Sequence, residues 1–220
     1  MTVTAGTVVY AFLSACVVWY LVSPLARSWP DDLPETRRLK RLKGAGEYFK
    51  LFATVSRTMP ALRKIPREQR VSPGLSERMM LTVCGVNQCA HCSYLHSRTA
   101  LEKGVPENEI RELLAGQVSG ASDEDLPALL FAQHFADAAG NVSAEAEAQV
   151  VGRYGAAKVR SMEAYLLSVY FGNLCCNTVQ YFERGGLDRR ERMNAYIAYL
   201  LAKPVSWLIV RNASRRGDAR

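Results

Sequence analysis

Ten consecutive residues, NQCAHCSYLH (87–96), bring two cysteines and two histidines together. Thiols and imidazoles at that density serve three chemistries: metal ligation, thiol redox exchange and a disulfide staple. On a helix, Cys89, Cys92 and His96 follow the spacing i, i+3, i+7 and share one stripe, while His91 points elsewhere. With Asn87 and Gln88 as a turn, Cys89 is expected in the first helical turn, where free N–H groups and the helix dipole favour a thiolate. A Cys-x-x-Cys so placed is a redox arrangement by default, able to close a short-range disulfide.

The preceding apolar segment supplies an acid. If residues 75–86 and 89–103 form an antiparallel helical hairpin turning near residue 87, Glu77 returns to the level of His96. The result is a carboxylate, an imidazole and the Cys92 thiol in series, a base oriented by an acid and aimed at a nucleophile. Zinc fits less well, because one helical stripe offers three ligands and no second Cys or His pair stands at useful spacing. No metal and no tightly bound cofactor are therefore expected. A thioredoxin-type centre is excluded by the absence of a βαβ pattern. Cys84 is read as a small buried residue, and Cys175 and Cys176, adjacent and directed to different faces, as core packing. His134 has no partner at metal spacing and reads as a packing or surface residue; the sequons at Asn141 and Asn212 carry no meaning on the cytoplasmic side.

The elements that must hold these groups are all helical. No run of alternating residues is long enough for a strand. A helix from Gly46 is expected to stop before Pro60, with loop up to Pro73-Gly74. A second begins at Leu75 with Ser76 as N-cap, and the cysteine-bearing helix ends at Gly104. Shorter helices follow at PENEIRELLAG, LPALLFAQHFADAAG and SAEAEAQVVGRYG, and a long apolar one begins near Ser161 and closes at Gly185-Gly186. The connections are short enough to require a compact helical bundle.

At 220 residues the chain suits one domain with extra length at its ends, and six cysteines are too few for a disulfide-built scaffold, which points to a reducing compartment. Residues 27–70 hold twelve Lys or Arg against five Asp or Glu, whereas the central span is weakly acidic. The basic charge thus flanks the apolar termini, a pattern that suits a membrane surface and not nucleic acid. Residues 1–26 carry no charged side chain and are read as a transmembrane or membrane-anchoring helix. Residues 27–43 form a basic linker that holds the globular part on the cytoplasmic side of the cell membrane, and the domain occupies 44–190. Residues 191–220 are an apolar helix and basic tail; Lys203 and Pro204 argue against a second crossing and for packing on the domain or at the interface.

The spaced set Glu77, Cys89-Ala90-His91-Cys92 and His96 resembles the signature of the alkylhydroperoxidase D-like branch of the carboxymuconolactone decarboxylase family, and the likeness extends over roughly residues 59–180. The resemblance implies an all-α bundle of that type, assembled as a homo-oligomer, in many members from trimers. It implies that Cys92 attacks a hydroperoxide and becomes a sulfenic acid, that Cys89 resolves it as a disulfide, that Glu77 and His96 relay the proton, and that His91 helps the local electrostatics. An external thiol or dithiol donor protein would then reduce the centre. The alternatives are a redox sensor or thiol-disulfide adaptor in a membrane assembly, and a non-redox lactone decarboxylase-like protein. The apolar N-terminus and the Cys175-Cys176 pair depart from the family's soluble pattern.

Overall fold

A computed structural model describes residues 39–68, 70–184 and 193–217. Among them there are eight helices and no strand: α1 (Ala45–Glu68), α2 (Pro73–Asn87), α3 (Ala90–Glu102), α4 (Glu107–Leu114), α5 (Leu126–Asp137), α6 (Ala144–Tyr154), α7 (Ala156–Glu183) and α8 (Met193–Gly217). The expected all-helical class is what forms. The apolar residues 1–26 lie outside the described residues; among the described residues no helix is long and apolar enough to cross a membrane.

Two helices carry the architecture. Along α7 the segment from Val169 to Phe182 is buried on every side, which requires cover all round. α1, α2 and α8 supply most of that cover, and α3 and α6 complete it. Apart from Arg78, α2 is buried from Leu75 to Cys84 and lies among α3, α4, α5 and α7. Its approach to α4 is close enough that a Cβ at Gly85 would sit 2.7 Å from the Leu113 carbonyl oxygen and 2.8 Å from that of Leu114. The bidentate Arg78–Glu109 pair (2.5 and 3.1 Å) fixes the same two helices at their other contact.

Several boundaries differ from the sequence expectation, each for a local reason. α1 does not stop before Pro60 but runs on to Glu68. Pro60 removes only the hydrogen bond to Ser56, and both residues are exposed, so water can take the freed carbonyl. α2 starts two residues before Leu75: Ser72, not Ser76, is the N-cap, accepting from the Leu75 N–H at 3.2 Å, with Pro73 opening the helix. Ser76 is buried inside the helix and donates back to the Pro73 carbonyl. α7 begins at Ala156, directly after Gly155, which adopts φ +80°.

The end of the basic linker is also structured. Leu39 and Leu42 are buried, the Leu42 N–H donates to Thr178 Oγ1 (3.0 Å), and Lys40 Nζ donates to the Ala136 carbonyl (3.1 Å). α8 continues through Lys203 and Pro204 and packs on α7, α1 and α3. Lys203 is 1 % exposed, with its ammonium 5.5 Å from the Tyr199 ring centre. Burial lowers its pKa, and the nearby Glu183 opposes that shift. At Gly172 a Cβ would meet Ile209 Cδ1 at 3.1 Å, which marks a close approach of α8 to α7.

Candidate functional site

The turn between α2 and α3 holds the site. α2 ends at Gln88 in the left-handed conformation (φ 53°), with its N–H closing on the Gly85 carbonyl. Cys89 then takes extended backbone (φ −89°, ψ 97°) and its carbonyl accepts from Ser93 N–H at 2.8 Å. Cys89 is therefore the N-cap of α3, one position earlier than the spacing suggests, and Cys92 lies in the first turn.

The expected carboxylate–imidazole pair is formed: His96 Nδ1 lies 2.9 Å from Glu77 Oε2. Glu77 is buried on α2 and lines a cavity of about 540 Å³ together with Val71, Ser72, Met80, Lys103 and Tyr165. His96 retains the stripe position one turn beyond Cys92. His91 is buried at the start of α3, and its charge acts on the thiol cluster.

The cluster contains one cysteine more than the sequence reading assigned to it. Cys176, on α7, joins Cys89 and Cys92 so that the three Sγ atoms all lie within 4.8 Å of one another. Cys176 is thus not mere core packing; Cys175 is, buried on the same helix and close enough to Tyr48 to affect its ionisation. All three clustered thiols are 2 % exposed or less.

Their ionisation follows from this contact. Hydrogen bonds from the Cys89 and Cys92 thiols hold Cys176 well below the ordinary thiol range, against the effect of burial, and His91 adds to the stabilisation. Donating to Cys176 and contact with Cys89, followed by burial, push Cys92 well up. Burial first, then the bond to Cys176, does the same for Cys89. The three sulfurs are close enough that loss of a proton from one opposes its loss from the others. For Cys89, burial opposes the ionisation that the helix start favours. The Glu77–His96 pair stands one helical turn beyond Cys92 along the stripe.

Ser206, buried on α8, turns its hydroxyl towards Cys176 and favours the thiolate. Its Oγ lies outside ordinary hydrogen-bond geometry to any partner, so this is an approach and not a formed bond.

Buried amides lock the turn onto α7. Asn177 Nδ2 donates to the carbonyls of Asn87 (2.8 Å) and Lys40 (3.0 Å), Asn87 Nδ2 donates to Asn173 Oδ1 (3.1 Å), and Asn173 Nδ2 reaches Cys84 Sγ (3.5 Å). Cys84 is fully buried, and desolvation raises its pKa to about 12. Asn173, Cys176, Asn177 and Gln180 fall at i, i+3, i+4 and i+7, a polar stripe in an otherwise apolar segment. That stripe is the sequence signal that could have exposed Cys176.

The cluster is the one group of metal-competent side chains among the described residues. Its three soft ligands are one short of the four a closed zinc site takes. His134 is exposed on α5.

An all-helical protein with a buried Cys-x-x-Cys centre and a carboxylate–histidine pair is thus defined by geometry. Residues 50–141 match the model of the Carboxymuconolactone decarboxylase family, so the chain carries a domain of that family, reaching from α1 past the end of α5. No curated protein and no solved structure matches the chain significantly. The matched stretch includes Glu77, Cys89, His91, Cys92 and His96, whereas Cys176 and Ser206 fall beyond it.

Proposed function

We propose that the protein is a thiol-dependent, peroxidase-like oxidoreductase of the alkylhydroperoxidase D-like type, reducing hydroperoxides through the Cys89–Cys92 dithiol. The observation that carries this reading is the Glu77–His96 contact at 2.9 Å on the stripe that bears Cys92, within a domain of this family. A family member working without thiols would have no use for a Cys-x-x-Cys at the helix start. In this reading Cys92 attacks the peroxide oxygen and becomes a sulfenic acid while the alkoxide leaves, protonated through His96 and Glu77. Cys89 displaces water to form the disulfide, and an external dithiol donor protein restores both thiols. The steps require no tightly bound cofactor. Assembly with copies of itself is part of the proposal, as is attachment to the cytoplasmic face of a membrane through residues 1–26.

The test is consumption of an organic hydroperoxide in the presence of a small dithiol reductant. Wild-type protein turns over, and Cys92→Ser does not; turnover retained in that variant sinks the assignment. Burial of all three thiols beneath α8 favours a second reading, a redox sensor whose oxidation displaces α8 without turnover. A disulfide that forms with one peroxide equivalent but is recycled by no dithiol donor selects that reading. Full activity of a doubly substituted Cys89→Ser, Cys92→Ser protein on a lactone would select the decarboxylase.

A further inference from the structure

Cys176 lies outside the family-matched stretch and outside the Cys-x-x-Cys mechanism, yet it touches both cysteines of that motif. All three sulfurs lie within 4.8 Å, and a disulfide brings two of them to ~2 Å. The three positions belong to two helices fixed against each other. The end of α2, from which the turn leads into Cys89 and α3, is tied to α7 by the amide bonds between Asn87 and Asn173 and Asn177, and those two residues flank Cys176. The meeting of the thiols is thus built into the frame.

From this geometry we infer that Cys176 is a third redox thiol of the centre, able to form a disulfide with Cys92 that cross-links α3 to α7. The inference rests on the thiol-redox reading of the site. Cys92 passes its proton to the adjoining Cys176 sulfur and attacks the hydroperoxide; one oxygen is transferred to sulfur, the O–O bond breaks, and the departing alkoxide takes a proton through the His96–Glu77 pair and leaves as the alcohol. The Cys176 sulfur then attacks the Cys92 sulfenic sulfur, the S–O bond breaks, and the hydroxide leaves as water with the proton of the cluster. Two electrons have passed from two thiols to one hydroperoxide. An external dithiol reverses the result by two exchange steps.

The two disulfides have different consequences. A Cys89–Cys92 bond joins neighbours on one helix start and leaves α7 free. A Cys92–Cys176 bond pins α3 to α7 at the point that α8 covers through Ser206. Cys176 is also fully buried, so it reaches a sulfenic acid without waiting for a solvent thiol. It protects Cys92 from the second, irreversible oxidation.

The experiment is disulfide mapping by mass spectrometry on the full chain, alkylated under denaturing conditions after one equivalent of organic hydroperoxide. A parallel arm uses diamide, which oxidises dithiols without a sulfenic acid. Wild type is expected to yield peptides joining Cys92 to Cys176 alongside the Cys89–Cys92 form. Cys89→Ser is expected to yield the Cys92–Cys176 form as its main product. Adding Cys176→Ala or Cys176→Ser to Cys89→Ser should raise sulfinic acid at Cys92 roughly ten-fold. The cross-link in the diamide arm without any reaction towards hydroperoxide would overturn the proposed peroxidase and leave the third thiol in place. Absence of any Cys176 disulfide from both arms, in wild type and in Cys89→Ser, would overturn the inference; the wild-type result needs no variant to fold.

Discussion

Replacing Asn177 with alanine should destabilise the protein and open its thiols together. The Asn177 amide gives both hydrogens to backbone carbonyls, at 2.8 Å to Asn87 and 3.0 Å to Lys40, while its own Oδ1 has no partner. Losing the side chain leaves the buried Asn87 carbonyl without a donor, at ~1–3 kcal/mol. The Lys40 carbonyl is only part-buried and can recruit water, so it adds less. A small cavity adds to this and relief of the unsatisfied Oδ1 subtracts from it, for a total of about 2–4 kcal/mol. With a urea dependence of ~2 kcal/mol per molar, the unfolding midpoint falls by about 1–2 M. Equilibrium urea denaturation followed by circular dichroism under reducing conditions measures it. Because Asn87 adjoins the Gln88–Cys89 turn, labelling of the native thiols by an aromatic disulfide reagent should accelerate by ~10²-fold if it proceeds through this opening. A midpoint shift below about 0.3 M with unchanged labelling would refute the idea that these amides hold the turn on α7.

Gly85→Ala would drive a methyl to 2.7 Å from the Leu113 carbonyl oxygen, and because backbone cannot rotate away, thermal denaturation should report a loss of about 1–3 kcal/mol. Alkaline stability should carry the signature of Cys84. Its folded pKa is raised from 9.0 to about 12, so its contribution is complete below pH 9 and is lost as pH rises towards 12, by ~4 kcal/mol in all. Chemical denaturation across that window should show a shallower loss in Cys84→Ala, the remainder belonging to Cys89, Cys92 and Cys175, whose pKa values are also raised. Cys176 has the opposite sign: its depressed pKa gives stability that is present above the ordinary thiol value and lost as pH falls through the folded one. Glu77→Gln should keep the melting temperature near wild type while lowering the kcat/KM for hydroperoxide by about 10²-fold; an unaltered rate would remove the carboxylate from the relay.

The parts of this site legible in the sequence are those encoded by local spacing. Cys89, Cys92 and His96 share a stripe because helical periodicity places them there, and Glu77 met His96 because a short turn fixes the register of a hairpin. Cys176 was hidden because its meeting with Cys89 and Cys92 depends on how α7 passes beneath the turn, which no local period encodes. Its adjacency to Cys175 suggested packing, while the buried polar stripe through Asn173, Asn177 and Gln180 pointed towards a polar partner. The N-cap differs because Ser76, with Glu77 directly after it, carries the same cap-and-acid signal as a helix start, and Pro73 points to Ser72 only when read as a helix opener. Pro60 shows the converse: a helix breaker is tolerated where the carbonyl it frees faces water. The buried Lys203 has the Tyr199 ring one turn away on its own helix, as spacing i, i+4 provides, whereas Glu183 comes to it from α7 through tertiary packing.

The central claim is that Cys92 is the sulfur that receives the peroxide oxygen. Trapping of the sulfenic acid by dimedone in a Cys89→Ser, Cys176→Ala protein, after one equivalent of organic hydroperoxide, tests it most directly. The account predicts one dimedone adduct per chain, located on Cys92, and none when Cys92→Ser is added. An adduct on another cysteine, or unreacted hydroperoxide with every thiol still free, would contradict it.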